Sequence, residues 1–426
     1  MRSLKGQFPQ ILPREIYADW TGAALPPAFL IDVHCQYLKC TSLGNPHSLH
    51  ELSARATAEI METRAAVLAY FNASPDEYGV VFTPNATGAI GVLRHFDFMG
   101  GHFLATADNH NSVNGVREVA RYSGASTQYV PLNEDLTVNE KSLRRMLAAK
   151  LTGPRLFAYP AKSNFTGIQH NLGWVSLAQA NGWSVLLDAA SYCSNQRLDL
   201  SVVKPDFLPI SFYKMFGFPT GVGCLLIRKE AYPRLEKKWF AGGSIRFVGV
   251  GNDFFVHESG SAKFEDGTVD FGMIPAVKAG LGFMESLGDA KGHAVSLATA
   301  LYDELSTMGY NGSSIVIHSP RGTDIVAFSV RRRGEFLDSS TFERLANEQG
   351  LYVRSGCFCN PGVGEQIFGY DPDEYKRLYR KGGLSHEEIM QLMGQPGAIR
   401  ASFGYANGMA DVRRFVKITR DVLGNL

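Results

Sequence analysis

Lys214 is the residue of this sequence whose setting most suggests chemistry. It lies among aromatic residues, three positions after a predicted buried strand that ends at Ser211, and a glycine-rich turn follows it. Burial disfavours the ammonium form of lysine and lowers its pKa, so that the free amine can act as a nucleophile or form a Schiff base. An isolated lysine more often extends its ammonium group to solvent while its stem packs on neighbours such as Phe212 and Phe216. The stretch alone leaves both interpretations open.

Asp188, at the end of the preceding apolar strand, favours the chemical interpretation. The segment 183–188 reads Trp-Ser-Val-Leu-Leu-Asp, so the carboxylate follows one predicted strand as Lys214 follows the next. An acid and a lysine placed in this way can hold the ring nitrogen of a pyridine cofactor at one end and its aldehyde carbon at the other. The pair therefore predicts a site for such a cofactor.

Short apolar strands that alternate with amphipathic helices must position these two residues. The predicted strands are 80–82, 103–105, 156–159, 185–187, 208–210 and 224–227. This alternation predicts an α/β fold with a mainly parallel sheet covered on both faces, and with ligand-binding turns at the carboxyl ends of its strands.

A long helix is predicted at 49–71, and Ser48 and Glu51 are predicted to form a capping box at its start. His47 and His50 are interpreted as caps or surface residues.

Three further candidate groups follow these strands. The segment 82–88 precedes a helix and would direct backbone N–H groups and the Thr87 hydroxyl at an anion. His110 follows the next strand, and Asn164 follows the strand that ends at Tyr159. Each of these residues taken singly is more often structural, but together they converge on one crevice.

The carboxyl-terminal part of the sequence predicts a smaller α+β lobe. Helical periodicity returns near residue 280, and 324–330 and 398–403 are predicted strands. We therefore divide the chain into a large lobe, 1–280, and a small lobe, 281–426. The N-terminal segment 16–27 is interrupted by Gly and Pro, which predicts a loop that could lie over the site.

Cys357 and Cys359 lie one residue apart in a glycine-rich loop of the predicted small lobe. A zinc site is a poor interpretation, because no second cysteine pair and no histidine cluster accompany them, and we expect no metal. The pair is better suited to supply one mobile nucleophilic thiol. The alternative is two packed cysteines at the base of a loop.

The overall composition excludes several classes of function. Lys plus Arg is 42 and Asp plus Glu is 41 among 426 residues, so we expect no field that would recruit nucleic acid or a membrane surface. We find neither a signal-peptide pattern nor an apolar run of membrane-spanning length, and the six cysteines show no disulfide framework. The sequence therefore predicts a cytoplasmic protein whose partners are small and locally recognised.

Taken together, nine short segments resemble the class V aminotransferase and cysteine desulfurase family, and within it the desulfurase-like amino-terminal domain of molybdenum cofactor sulfurases. These segments are Tyr17-Ala-Asp, Asn45-Pro-His, Phe82-Thr-Pro-Asn-Ala-Thr, His110-Asn-Ser, Asn164-Phe-Thr-Gly, Asp188-Ala-Ala, Ser211-Phe-Tyr-Lys, Phe264-Glu-Asp-Gly-Thr and Arg354-Ser-Gly-Cys-Phe-Cys-Asn. They occur in order over nearly the whole chain. The resemblance implies fold type I of the pyridoxal-phosphate-dependent enzymes, which is also called aspartate-aminotransferase-like.

The resemblance also implies how the cofactor is held. Pyridoxal 5'-phosphate would form an imine with Lys214, Asp188 would pair with the ring nitrogen, His110 would stack on the ring, and Asn164 would approach the ring hydroxyl. The other implied contacts, most of them to the phosphate, are Ala86, Thr87, Ser211 and Tyr213. Thr268 would reach the phosphate of a neighbouring subunit, which implies a homodimer.

For the reaction, the resemblance implies removal of sulfur from L-cysteine or an analogue. Arg400 would clamp the substrate α-carboxylate as a bidentate fork, with Asn45 as a second substrate contact. Lys214 would remove the α-proton, and the Cys359 thiolate, with Cys357 as the fallback, would attack the sulfur. The products would be alanine and an enzyme persulfide, which a sulfur acceptor protein or cofactor would discharge.

Two alternatives remain open on the sequence. The same scaffold could carry out β-elimination, decarboxylation, epimerisation or transamination on a cysteine-like or other amino acid, because a fold does not determine a reaction. The chain could also be a non-enzymatic sulfur carrier that binds a partner through the Cys357 loop, with a purely structural cofactor.

Overall fold

The computed structural model describes residues 4–310, 312–385, 387–389 and 396–426. Within these ranges, two large β-sheets and two two-stranded sheets organise the molecule. The strands are β1 (Ile16–Tyr17), β2 (Tyr78–Thr83), β3 (His102–Thr106), β4 (Ser126–Val130), β5 (Arg155–Pro160), β6 (Ser184–Asp188), β7 (Phe207–Ser211), β8 (Gly223–Arg228), β9 (Ile245–Val248), β10 (Phe255–His257), β11 (Gly309–Tyr310), β12 (Ser313–Ile317), β13 (Ile325–Arg332), β14 (Glu335–Phe336), β15 (Leu351–Tyr352), β16 (Arg354–Gly356) and β17 (Ala398–Ser402).

Helices connect most of these strands. They are α1 (Ala28–Cys40), α2 (Glu51–Tyr70), α3 (Ala86–Gly91), α4 (Asn111–Asn114), α5 (Val116–Tyr122), α6 (Glu140–Leu147), α7 (Trp174–Ala180), α8 (Phe212–Phe216), α9 (Ala276–Ser286), α10 (Ala290–Ser306), α11 (Ser339–Glu348), α12 (Pro361–Phe368), α13 (Pro372–Lys381) and α14 (Met409–Asn425). Within the described ranges, none of the helices has both the length and the apolar character needed to span a bilayer.

The larger sheet has the strand order β2-β8-β7-β6-β5-β3-β4. Strands β7, β6, β5, β3 and β4 run parallel, whereas β8 is antiparallel to both of its neighbours, β7 and β2. The prediction of a mainly parallel sheet is confirmed, as are all six predicted strands. We did not predict β4, because its sequence, Ser-Thr-Gln-Tyr-Val, is largely polar, as suits a half-exposed edge strand.

Both faces of the larger sheet are covered, as expected. Along β5, Phe157 and Tyr159 belong to one hydrophobic core, whereas Leu156 and Ala158 belong to another. Because successive side chains of a strand point to opposite sides, the two cores lie on opposite faces of the sheet. Two-sided burial leaves the carboxyl ends of the parallel strands as the edge where a site can form.

The smaller sheet is antiparallel, with the order β11-β12-β13-β17-β16 and with β14 beside β13. Side chains of α10, α11 and α14, such as Leu301, Phe342 and Phe415, share a core with Phe328 of β13. This confirms the smaller α+β lobe. Its boundary near residue 280 stays a prediction.

The N-terminal segment joins the smaller lobe, which the sequence did not predict. Strand β1 pairs in parallel with β15, and Ile16 and Ala18 lie in the core of that lobe. After β1, the chain passes close to α8, the helix that carries Lys214. Leu25 and Pro26 pack closely against Gly217, the residue that ends this helix. The segment is therefore both a strand of one lobe and a loop at the site of the other.

The predicted capping box at the start of α2 is wrong. Helix α2 begins at Glu51, and its N-cap is His50, whose Nδ1 accepts a hydrogen bond from the Ser53 N–H at 3.3 Å. The Ser48 N–H donates to the Ser53 hydroxyl at 3.1 Å. An imidazole nitrogen therefore satisfies the helix end, a role for which the sequence offered His50 only as one of two possibilities.

Candidate active site

A cavity of about 130 Å³ opens at the carboxyl ends of the parallel strands. Eight of the predicted site residues line it, namely Ala86, Thr87, His110, Asn164, Asp188, Ser211, Tyr213 and Lys214. We call it the Lys214 cavity.

Lys214 belongs to α8, the short helix that follows β7 directly. Its neighbours Phe212, Met215 and Phe216 are buried, which turns Lys214 toward the cavity. The helix ends at Gly217 with φ of 79°, and a side chain there would lie 2.3 Å from the Pro26 nitrogen. A glycine is therefore needed both for the left-handed backbone and for the close N-terminal segment.

The Lys214 amine is electrostatically suited to act as a nucleophile. Burial lowers its pKa from the ordinary value for lysine, and the nearby Arg400 and Arg354 act in the same direction, whereas Asp188 opposes them. Asp188, which ends β6 and is 8% exposed, lines the same cavity and accepts a hydrogen bond from the Ala190 N–H at 3.0 Å. The amine and the carboxylate therefore line the same cavity.

Hydroxyl and amide groups gather at another wall of the cavity. The Ala86 N–H donates to the Ser211 hydroxyl at 2.7 Å, and the Thr87 and Ser112 hydroxyls are 2.8 Å apart. Asn85 caps α3 by accepting from the Gly88 N–H at 2.9 Å. Such a cluster of donors suits a phosphate group.

His110 is both a helix cap and a cavity residue. Its Nδ1 accepts from the Ser112 N–H at 3.1 Å, so the proton of the neutral ring lies on Nε2. Burial lowers its pKa, although Asp188 partly offsets this. The ring therefore favours the neutral form, which suits stacking on another ring.

The loop that carries Cys357 and Cys359 is tied to the large lobe beside the cavity. The Asn164 side-chain amide donates to the Phe358 carbonyl at 2.8 Å and its oxygen accepts from the Asn360 amide at 3.0 Å. The Asn111 N–H donates to the Cys359 carbonyl at 2.7 Å. Asn164 is thus a link between the cavity and the cysteine loop.

The cysteine loop also has an uncommon backbone. Phe358 and Cys359 have φ of 54° and 57°, a conformation that costs non-glycine residues of order 1–3 kcal/mol. Gly362 packs so closely on the Ala107 carbonyl that a Cβ would lie 2.1 Å away. Cys359 is half-buried and does not line the Lys214 cavity, and its Sγ lies 4.0 Å from an Arg354 nitrogen.

Arg400 lies at the junction of the two lobes and is 1% exposed. One of its terminal nitrogens donates to Asp19 at 2.7 Å, and the other donates to the Asn164 carbonyl at 2.9 Å. Its Nε is buried and, in the described part of the chain, has no hydrogen-bond partner. The guanidinium lies 4.8 Å from the Phe358 ring centre. A substrate carboxylate would therefore have to compete with Asp19 for this arginine.

Two predicted residues lie away from the Lys214 cavity. Thr268 lines a separate surface cavity with Phe82 and Glu265. Asn45 lies in the loop before α2, where its side chain accepts from the His47 N–H at 3.0 Å. Neither residue is among those that line the Lys214 cavity.

Lys162 is a cavity residue that the sequence did not reveal. Its side chain is fully buried and forms an ion pair with Asp324 at 2.5 Å, which joins the loop after β5 to the start of β13 in the small lobe. Lys162 lies two positions before Asn164 in the loop that follows β5, and this proximity was the available signal. We missed it because the acid that compensates the lysine is 162 positions away.

We expect Lys162→Met to lower the free energy of unfolding by about 3–5 kcal/mol, because it leaves a buried aspartate without its cation. Urea unfolding measures this change. The double variant Lys162→Met with Asp324→Leu should recover part of the loss, since it removes both charges. The exposed pair of Arg321 and Asp303 is the matched control, and Arg321→Met should change stability little. If Lys162→Met and Arg321→Met lowered the free energy of unfolding equally, the stabilising role of the buried ion pair would be contradicted.

The groups around the Lys214 cavity fit pyridoxal phosphate. The amine suits an aldehyde, the carboxylate suits a ring nitrogen, and the donor cluster suits a phosphate. Ser191 lines the cavity, and its buried hydroxyl has no hydrogen-bond partner among the residues that the structure describes. An unpartnered hydroxyl at this wall is consistent with a ligand that carries a polar ring substituent.

The family model for aminotransferase class V matches residues 16–415. The chain is 33% identical to molybdenum cofactor sulfurase from Homo sapiens over 456 residues, which cover 99% of this chain and 51% of that protein. It thus spans about half the length of the curated relatives it matches.

Two solved structures share the fold. A cysteine desulfurase from Thermococcus onnurineus NA1 has 22% identity and a TM-score of 0.79, over 100% of this chain and 99% of that one. A cysteine desulfurase from Escherichia coli has 23% identity and a TM-score of 0.80, and the match covers 99% of this chain and 98% of that one.

Proposed function

Because the chain belongs to the class V aminotransferase family and is therefore a pyridoxal-phosphate-dependent enzyme, we propose that it removes sulfur from L-cysteine to give alanine and a persulfide on Cys359. The observation that carries the proposal is the docked cysteine loop. Asn164 lines the Lys214 cavity and binds the loop at Phe358 and Asn360. The curated relatives named as sulfurases agree with a reaction in sulfur transfer.

Different residues of the Lys214 cavity would bind different parts of the cofactor. Lys214 would bind its aldehyde, Asp188 its ring nitrogen, and His110 one face of the ring. The phosphate would accept hydrogen bonds from the cluster that contains Ala86, Thr87 and Ser211, and from Tyr213, which also lines the cavity. When bound, the cofactor supplies an electron sink for the carbanion that forms at the substrate α-carbon.

Lys214 and Cys359 would carry the proton and the sulfur. The lowered pKa of Lys214 makes its free amine available to take the α-proton. The Cys359 thiolate would then attack the substrate sulfur, so that a new S–S bond forms as the bond between that sulfur and the substrate β-carbon breaks. The β-carbon gains a proton, the α-carbon regains a proton from Lys214, and alanine leaves.

We propose Arg400 as the group that binds the substrate carboxylate, and we expect Arg400→Ala to weaken substrate binding by about 2–5 kcal/mol, because a buried charge pair is lost. The change should appear mainly in KM. Steady-state kinetics with L-cysteine measures it.

Asp19→Asn is the matched control for this substitution. It removes the carboxylate that now holds Arg400 but leaves the guanidinium in place. If Arg400 binds substrate, Asp19→Asn should leave KM unchanged or lower it. If both variants raised KM equally, Arg400 would be only a structural partner of Asp19.

The assay that tests the function measures alanine and sulfide from L-cysteine together, with an added dithiol that reduces the persulfide and releases its outer sulfur as sulfide. Equal amounts of both support the proposal. Pyruvate in place of alanine would favour β-elimination, and a product without sulfur release would favour another class V reaction. Cofactor absorbance that shifts with an amino acid but yields no product would favour the non-enzymatic carrier.

A sulfur acceptor and a second copy of this chain belong to the same proposal. The persulfide requires an acceptor protein or cofactor. A homodimer is supported by the β9–β10 hairpin, which exposes Phe247, Phe254 and Val256, and whose base contacts the Thr268 loop through the Gly267 N–H and the Gly242 carbonyl. We propose that this surface meets the partner and brings Thr268 to its phosphate site.

A further inference from the structure

Lys214 lines a second, smaller cavity in addition to the Lys214 cavity. This rear chamber is bounded by Thr21, Ser194, Asn195 and Asp324 on its polar side, and by aromatic and alanine side chains elsewhere. It has room for about one water molecule. The amine therefore stands at the boundary between the predicted cofactor site and a small polar chamber.

Two residues that line this chamber, Asp324 and Asn195, each carry a hydrogen-bond acceptor without a partner among the described residues. Asp324 is 5% exposed, and its Oδ2 accepts from Lys162 and from the Asn195 amide at 2.7 Å. Within the part of the chain that the structure describes, Asp324 Oδ1 and Asn195 Oδ1 are buried and accept no hydrogen bond. Because both oxygens are acceptors, they cannot satisfy each other and require a donor between them.

The rear chamber adjoins the protein surface. Asn195 and Ala290 line it and also line a surface cleft that contains Gln196, Arg197 and Glu285. Gln196 lines the cleft, and its buried Nε2 is a third atom with no hydrogen-bond partner in the described ranges. Unpartnered polar atoms thus occur in both the chamber and the cleft, with Asn195 common to both.

We propose that the rear chamber binds a water molecule, held by Asp324 Oδ1 and Asn195 Oδ1, through which the Lys214 amine exchanges protons with solvent by way of the surface cleft. Water suits these partners because it can donate to two acceptors and still accept from an amine N–H. The ion pair with Lys162 keeps Asp324 in place as an acceptor. The route does not pass through the Lys214 cavity, so it stays open while an amino acid fills that cavity.

The exchange is balanced in atoms and charge. An N–H bond of the Lys214 ammonium breaks as an O–H bond to the water forms, and the water passes a different proton to solvent in the cleft. A solvent proton returns by the reverse steps. Neither an oxidant nor a further reactant is required.

A high-resolution crystal structure of the ligand-free protein tests the site without reference to activity. We expect a water at hydrogen-bonding distance, about 2.7–3.2 Å, from both Asp324 Oδ1 and Asn195 Oδ1. Ala290→Leu should fill the chamber and remove that water. A dry chamber in the parent protein would overturn the proposal.

Deuterium exchange tests the route, and this part rests on the proposed role of Lys214. In D₂O, the parent enzyme should place solvent deuterium on the α-carbon of a bound, unreactive amino acid such as L-alanine. Ala290→Leu should lose most of this incorporation, because the abstracted proton returns from Lys214 before it exchanges. Asn195→Leu, which keeps a similar volume, should show the same loss if Ala290→Leu fails to fold.

Ser296→Leu, at an exposed position of the same helix α10, is the matched control and should exchange as the parent does. Exchange that is equal in the parent, Ala290→Leu and Asn195→Leu would overturn the route. If the parent showed no exchange although it bound the cofactor, the role of Lys214 as the base would fall, while the crystallographic test would still decide the water site.

Discussion

Lys214→Ala should retain pyridoxal phosphate in the cavity but lose turnover by at least about a thousandfold, because it removes both the amine that binds the aldehyde and the base that takes the α-proton. The other cofactor groups, from Asp188 to the donor cluster, stay in place. Single-turnover assays with L-cysteine and the absorbance of the bound cofactor measure the two effects separately.

Lys214→Arg distinguishes the covalent role from a role of positive charge alone. Arginine keeps a cation at this position but does not form a stable imine and does not act as a base near neutral pH. We therefore expect it to be as inactive as the alanine variant. Activity close to that of the parent in either variant would refute the assignment of Lys214.

Cys359→Ser should abolish transfer of sulfur to the enzyme, because a hydroxyl at this position does not attack a thiol sulfur to form a persulfide. We expect the cofactor to bind normally, since Cys359 does not line the Lys214 cavity. The loss should match that of Lys214→Ala in the formation of alanine. Mass spectrometry of the enzyme after one turnover detects the added sulfur directly.

Cys357→Ser is the matched control, because this cysteine lies in the same loop two positions away. It should retain the persulfide on Cys359. If Cys359→Ser instead turned over L-cysteine as fast as the parent, the thiol would not be the nucleophile. A β-elimination on the same cofactor would then be the better assignment.

The parts of the fold that depend on local pattern were predictable. Each strand that leads to the Lys214 cavity has an apolar run of its own, and strands with this pattern align at one edge of a parallel sheet. For this reason Asp188, His110 and Lys214 could be expected in one crevice from spacing alone. The additional contacts, such as Ala86, came only from resemblance to the family.

The parts that depend on distant partners were not predictable. Lys162 is compatible with burial only because Asp324 compensates it from the other lobe. The loop of Cys359 was expected to be mobile, but its docked conformation depends on Asn111 and Asn164, more than 190 positions away. No local propensity in the sequence encodes these pairs, since each partner alone resembles an ordinary surface residue.

The entry of the N-terminal segment into the smaller lobe has a consequence for biosynthesis. The Thr21 N–H donates to the Ser402 hydroxyl at 2.9 Å across 381 positions, and Ile16 completes a core otherwise made by the last third of the chain. At roughly 5–20 residues per second, a ribosome needs on the order of 20–80 s to deliver the second half of this contact. During that interval the apolar segment around Ile16 lacks the core that buries it in the folded protein. A chaperone near the ribosome exit tunnel can bind the exposed segment.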